Sequence, residues 1–254
     1  MRNEDCDIAV FPEKKDGMMT ITDKDCFHVH TYRCGHAENI PDEKYVKAAL
    51  DIGATGIWFT DHAPFPGDPF GNRMNYSELD EYLSSLSRLR EKYKGQISVH
   101  AGLEIEYFPS FDRAGYYKQL CDDPRIDILL LGQHMAETGD GYTFSWDEER
   151  LNREEYVALG HAEIQGIESG YFDAVAHPDR IFRRQKKWSE GMQMIADCII
   201  HAAGDNDILL EQNEASKKEK HHYWPEFWVK VEAAQIIHGL DAHSLQEIRI
   251  IQGV

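Results

Sequence analysis

The chain has 254 residues, with 45 acidic side chains against 27 Lys and Arg, and a formal net charge of −18. That sign repels a phosphate backbone and excludes extended nucleic acid as a partner, while a small anion can still be drawn to bound cations that reverse the local field. The length suits one α/β barrel, which closes with about 250 residues, and no apolar run approaches the roughly 20 residues that span a bilayer, so no membrane partner is expected.

The opening Met1-Arg2-Asn3-Glu4-Asp5 is polar and no hydrophobic segment follows it. Nothing there reads as a secretory signal, and the expectation is a cytoplasmic protein. Residues 1–24 show no clear period and read as an N-terminal extension, with residues 25–254 as one barrel domain. Cys6, Cys26, Cys34, Cys121 and Cys198 are an odd set without C-x-x-C spacing, which argues against a disulfide framework and against a structural zinc knot. Cys34, between His30 and His36, is read as a reduced thiol and not as a ligand.

Phe27-His28-Val29-His30-Thr31 has the composition of a strand, where residues two apart face the same way. His28 and His30 would project side by side and supply half of a metal site, since neutral imidazole is a versatile ligand. A polar loop holding His36 follows. Pro41 to Asp51 has helical spacing, and Gly56 to Thr60 is a short apolar run ending in Asp61-His62.

The alternation then repeats. A helix over Tyr76 to Tyr93 leads to the strand Ile97 to Leu103, which delivers Glu104, and the run Ile126 to Leu131 delivers His134. A helix over Arg153 to Ser169 leads to Tyr171 to Ala176, followed by His177-Pro178-Asp179. A helix over Glu190 to Ala203 leads to Ile208 to Leu210, followed by Glu211 and Asn213. A last helix over Phe227 to Ala234 leads to Gln235 to Ile237, followed by Asp241-Ala242-His243.

Strands alternating with helices imply a parallel sheet, and unbroken apolar strands imply burial on both faces. In such barrels the C-terminal strand ends converge on one mouth. Every one of the seven expected strands ends in His, Asp or Glu, and seven of the 13 histidines lie at or just after those ends. Each alone reads as well as a hydrogen-bonded core histidine; together they favour a shared multinuclear metal site. His100, His161, His201, His221, His222 and His238 fall within helices, strands or turns and are read as structural, although the His221-His222 loop leaves a substrate role open.

The segments His28-Val29-His30, Thr60-Asp61-His62, Gly102-Leu103-Glu104, Gly132-Gln133-His134, Ala176-His177-Pro178-Asp179 and Gly239-Leu240-Asp241-Ala242-His243 occur in an order that resembles the polymerase and histidinol phosphatase (PHP) superfamily. The resemblance implies a distorted seven-stranded (β/α)7 barrel with two or three divalent ions, zinc, manganese or iron, at the C-terminal ends of the strands. Carried over residue by residue, its ligands fall on His28, His30, His36, His62, Glu104, His134, His177, Asp241 and His243.

Arg33-Cys34-Gly35-His36-Ala37, Glu104 to Pro109 and Glu211-Gln212-Asn213 look most like the histidinol-phosphatase branch, which hydrolyses L-histidinol phosphate in histidine biosynthesis. The implied reaction is attack by a metal-activated hydroxide, with Glu104 bridging two ions and Asp241 completing the reacting centre. Asp179 or a metal-bound group is the expected proton donor to the leaving group, Arg180 and Arg183 bind phosphate, and Glu106 and Glu211 receive the substrate's cationic groups. The alternatives are a related phosphoesterase acting on a sugar, nucleotide or phosphotyrosine ester, and a non-catalytic metal-binding domain. The chain departs from the family in two places. Leu240 stands where Ser is common, and the chain stops eleven residues past His243, which leaves barrel closure either incomplete or supplied differently.

Overall fold

The computed structural model describes residues 21–139, 141–146 and 155–251. Strands β1 (Asp25–Val29), β2 (Gly56–His62), β3 (Ser98–Ile105) and β4 (Ile128–Leu131) are followed by an antiparallel hairpin, β5 (Met135–Thr138) and β6 (Gly141–Phe144), and then by β7 (Ala174–Val175), β8 (Leu209–Asn213) and β9 (Ile236–Gly239). All but the hairpin join one seven-stranded parallel sheet in chain order. Its two edges meet. Leu240 N–H donates to Phe27 O at 2.8 Å, Ala242 N–H to His28 O at 3.0 Å, and His30 N–H to Ala242 O at 2.9 Å. Closure is therefore supplied by residues 240–242, and the fold is the distorted seven-stranded barrel expected.

The period of two divides each strand between two cores. In β4, Ile128 and Leu130 point into the barrel with Phe27, Trp58, Ala174, Ala176 and Ile237. Leu129 and Leu131 point outward, into the larger layer between sheet and helices. Both faces are dry, which is why the strands read as unbroken apolar runs.

Helices α1 (Asp42–Asp51), α2 (Leu79–Lys92), α5 (Glu155–Glu168) and α6 (Glu190–Asp205) agree with the sequence reading to within two or three residues where both are described; Arg153 and Glu154 lie outside the described residues, as do residues 1–20 of the expected extension. In α1 the stripe Tyr45, Val46 and Ala49 is buried, with Asp42 and Glu43 at the positive end of the helix dipole. Two short helices, α3 (Pro109–Arg113) and α4 (Tyr116–Asp122), and the β5–β6 hairpin have no counterpart in the sequence reading. These elements are too short to show a period.

The helix expected over Phe227 to Ala234 is corrected to α7 (Pro225–Trp228) plus a 3₁₀ turn, Ala233–Gln235. Its apolar spacing comes from Trp224, Phe227, Trp228 and Val231 packing on the core and not from a continuous helix. No helix among the described residues is long and apolar enough to cross a membrane.

Candidate metal centre at the barrel mouth

His28 and His30 do come together, with ring centroids 5.0 Å apart, but not through a regular strand. The β1–β2 register shifts between Cys26 and Val29, and His28 has a left-handed backbone at φ 65°. His177 and Asp241 share that backbone type, at φ 35° and 54°. Non-glycine residues in this region carry strain of order 1–3 kcal/mol each, tolerated where the surroundings over-determine them. Here the bulge, the turn after β7 and the closing segment after β9 aim three side chains at one point.

Glu104 is that point. It is fully buried, and register places it opposite His62 on the neighbouring strand. Its Oε1 lies 2.9 Å from His177 Nε2 and 3.5 Å from His134 Nε2. Its Oε2 lies 3.1 Å from His62 Nδ1, 3.4 Å from His28 Nε2 and 3.5 Å from His30 Nε2, and makes no hydrogen bond. Asp241 Oδ1 approaches His30 Nε2 at 3.2 Å and His28 Nε2 at 3.7 Å. The donors form overlapping groups in which all ligand atoms lie within 4.8 Å: His28, His30 and Asp241; His30, His62 and Glu104; Glu104, His134 and His177; and His36, His62 and His243. All nine ligands implied by the resemblance are thus brought to the same mouth.

Tautomers show whether cations fit. His28 Nδ1–H donates to Glu211 Oε1 at 2.7 Å, His36 Nδ1–H to Cys34 O at 3.0 Å, and His243 Nδ1–H to Asp241 O at 3.0 Å. In each neutral ring this leaves Nε2 with a bare lone pair. Yet His36 Nε2 and His243 Nε2 are 3.0 Å apart, as are His28 Nε2 and His30 Nε2. Lone pairs converging on one another, beside a buried carboxylate oxygen without a donor, are the arrangement a divalent cation satisfies. At His243 protonation is the poorer answer, since burial lowers it to about 4, helped by His30, and burial with Arg180 lowers His177 to about 4. At His28 and His30 the surrounding carboxylates outweigh burial and raise the rings above the ordinary imidazole value, His30 to about 9, through the same negative field that a cation would occupy. Cys34 lies within the same distance of His30 and His243, but burial, with Asp61, pushes its thiol up to about 12, which disfavours the thiolate that binds metal.

A second layer fixes these rings. Glu211, fully buried, accepts from His28 with Oε1 and from His177 N–H (3.2 Å) and Asn213 Nδ2 (3.1 Å) with Oε2. Glu106 pairs with Arg73, whose Nη1 and Nη2 lie 3.0 and 3.1 Å from its oxygens, and with His134 Nδ1 at 3.3 Å. Asp61 accepts from Thr31 Oγ1 and places Oδ1 3.5 Å from His30 Nδ1. Two glycines make room for the acids. A Cβ on Gly132 would come within 2.3 Å of Glu104 Oε1, and one on Gly239 within 1.5 Å of Glu211 Oε1.

Two sequence expectations are corrected by these contacts. Glu106 and Glu211 are buried with their oxygens engaged by protein donors, so they orient candidate ligands and do not face a substrate cation. Asp179 is buried and accepts from Trp224 N–H at 2.7 Å and Trp228 Nε1–H at 2.9 Å through one oxygen, which anchors the α7 segment. Burial raises its pKa to about 7.

The arginines after β7 divide. Arg180 Nη2 donates to Asp241 Oδ2 (2.7 Å), Asn213 Oδ1 (2.9 Å) and Ser216 Oγ (2.7 Å), and Arg184 Nη1 to both oxygens of Glu155 at 2.9 and 2.8 Å. Arg183 is half-buried and has no carboxylate within ion-pair distance among the described residues; burial and its two arginine neighbours lower its pKa. His222 joins this side of the mouth. Burial, Arg183, Arg180 and His177 lower it to about 4, against the pull of Asp241. Sequence reasoning missed Arg73 and gave His222 a structural reading; each sits in a loop without periodicity to mark it.

A barrel whose C-terminal mouth gathers seven imidazoles and two carboxylates defines an α/β-barrel protein with a candidate metal centre. The chain belongs to the PHP domain family, whose sequence model matches residues 27–215. It is 27% identical over 251 residues to the histidinol-phosphatase of Bacillus subtilis, an alignment covering 87% of this chain and 94% of that protein. It is 26% identical over 200 residues to the histidinol-phosphatase of Lactococcus lactis, covering 74% and 70%. The same fold is seen in the crystal structure of the Lactococcus lactis histidinol phosphate phosphatase complexed with zinc, L-histidinol and phosphate, with a TM-score of 0.69 at 21% identity over 88% of this chain and 87% of that one.

Proposed function

We propose that the protein is a metal-dependent phosphomonoesterase that hydrolyses L-histidinol phosphate to L-histidinol and phosphate. The observation that carries the hydrolytic reading is Glu104, whose two oxygens face two different groups of imidazoles, as a carboxylate bridging two cations must. Three overlapping donor groups support two or three ions: His28, His30 and Asp241 with Glu104; His36, His62 and His243; and His134 and His177 with Glu104. Mixed imidazole and carboxylate donors suit zinc, manganese or iron better than calcium. The choice of substrate rests on the kinship to histidinol-phosphatases, one of whose structures holds zinc, L-histidinol and phosphate.

Divalent ions there would acidify a bound water to give hydroxide near neutral pH and offset charge on the phosphoryl oxygens. The chain's own residues do the rest. Glu211 and Glu106 hold His28 and His134 in the rotamers and tautomers that leave lone pairs at the mouth, and Asp61 Oδ1 stands 3.5 Å from His30 Nδ1. Arg180 fixes Asp241 with Oδ1 turned inward, and Arg183, with no carboxylate in ion-pair distance among the described residues, is available to phosphate oxygens. No side-chain nucleophile is required. Residues 25–254 act as one barrel domain on a small-molecule phosphate ester in the cytoplasm, and the net charge of −18 supports the exclusion of nucleic acid.

The test is phosphate release from L-histidinol phosphate by the purified protein, with metals quantified on the same sample beside a chelated control. Chelator-sensitive release with two or three metals per chain is the expected result. Bound metal with efficient hydrolysis only of a sugar, nucleotide or phosphotyrosine ester would replace the substrate and keep the chemistry.

A further inference from the structure

Resting on that reading, we propose that Trp146 is the stacking platform for the flat ring of the leaving alcohol, and so a specificity-determining residue of the site. Four observations lead to it. The Trp146 ring centroid lies 6.5 Å from that of His134, at an interplanar angle of 53°. His134 is itself a donor within 3.5 Å of Glu104 Oε1, so the indole borders the place where a phosphoryl group would be held. The residue is 42% exposed, an uncommon position for the largest apolar side chain unless something flat covers it.

The backbone that carries it is fixed. Ser145 N–H donates to His134 O at 2.9 Å, continuing the β5–β6 ladder by one bond past the Met135–Phe144 pair. Tyr142 on β6 packs edge-on against Phe70 at 4.9 Å and Phe108 at 5.2 Å, which ties the hairpin to the loop after β2 and to the end of β3. The residue before Trp146 is thus hydrogen-bonded beside His134. Phe144 lies 5.2 Å from the indole at 51°, and among the described residues the other ring neighbour of Trp146 is His134.

The chemistry recognised is a phosphate monoester whose alcohol ends in a planar, cation-capable ring on a short saturated chain. Indole offers the strongest π face among side chains to such a group, by offset stacking when the ring is neutral and by cation–π attraction when it is protonated. An aliphatic ester without a ring would reach the metals equally well but gain nothing from Trp146. The hairpin thus supplies selectivity, while the barrel supplies reactivity.

The experiment compares Trp146→Ala and Trp146→Phe with the wild-type metal-loaded enzyme on two esters, L-histidinol phosphate and phosphoethanolamine, and measures L-histidinol binding by calorimetry. Trp146→Ala is expected to lower the ratio of kcat/KM between the two esters by about tenfold, mainly through KM for L-histidinol phosphate, with Trp146→Phe retaining most of the preference. L-histidinol binding should weaken by a similar factor. A ratio unchanged in Trp146→Ala, whether both activities persist or fall together, overturns the platform while leaving the phosphatase reading intact. Wild-type enzyme that turns over phosphoethanolamine and rejects L-histidinol phosphate overturns both.

Discussion

Glu211 Oε1 accepts the Nδ1 proton of His28 at 2.7 Å, and it has room to do so because residue 239 is glycine: a Cβ there would lie 1.5 Å from that oxygen. The acid on β8 thereby sets the tautomer of a histidine on β1, across the seam where the barrel closes. A carboxylate behind a ligating imidazole raises its basicity and fixes its plane.

Glu211→Gln keeps the shape and removes the charge. It is expected to weaken metal affinity about 10- to 100-fold, read by competition with a chromophoric chelator. Gly239→Ala, which drives Glu211 from its place, should move affinity in the same direction. Wild-type affinity in Glu211→Gln would remove the acid from the metal site's support.

Asp241→Ala and His134→Ala each delete a donor from a different group around Glu104. Turnover of L-histidinol phosphate should fall by about 10³-fold or more in each, because a lost ligand disturbs both the nucleophile and charge neutralisation. Near-normal kcat in either, with circular dichroism unchanged, would sink that residue's assignment.

Converging lone pairs and buried carboxylates repel one another without cations, so metal should stabilise the fold as well as the reaction. At a thousandfold excess over Kd, binding adds about 4 kcal/mol of stability, which for a chain of this size raises Tm by roughly 10 °C. Scanning calorimetry before and after chelation measures the difference, and re-addition of zinc or manganese should restore it. An unchanged Tm would mean that the nine donors hold no ion.

Glu163 on α5 is buried at 1% exposure, and its Oε1 has no hydrogen-bond partner. Burial, with the nearby charge of Asp179, holds its pKa well above the ordinary 4.5. Between 4.5 and that raised value the native chain keeps a proton that the unfolded chain releases, so stability is full below 4.5 and declines as pH rises through the folded value. Glu163→Gln has no proton to lose. Its Tm advantage over wild type is expected to be larger at about pH 8 than at about pH 5, by about 3 °C or more, as measured by thermal melts at both values. Parallel pH profiles for the two proteins would contradict the assignment.

Several candidate ligands could be placed before any coordinates because they follow apolar runs. A parallel barrel forces every such run to deliver its next residue to one end, so a polar residue at that position is committed to the mouth. Glu104, His134 and Asp241 needed no partner information to be placed there. The roles of Glu106, Glu211 and Asp179 were beyond such reasoning. Whether an acid faces a ligand, a tryptophan or a substrate depends on register between strands and on packing of distant segments, and neither leaves a period in the chain. The same holds for the bulge that turns His28 inward, for the hairpin that carries Trp146, and for His222 beside Arg183. Sequence alone determined the alternation of strands and helices and the mouth on which polar strand ends converge, because these follow from periodicity and burial, while the set of candidate ligands came from the family resemblance. Only the tertiary structure decided which buried acids orient the histidines and which groups remain for a substrate, because those assignments are made by contacts between residues dozens to hundreds of positions apart.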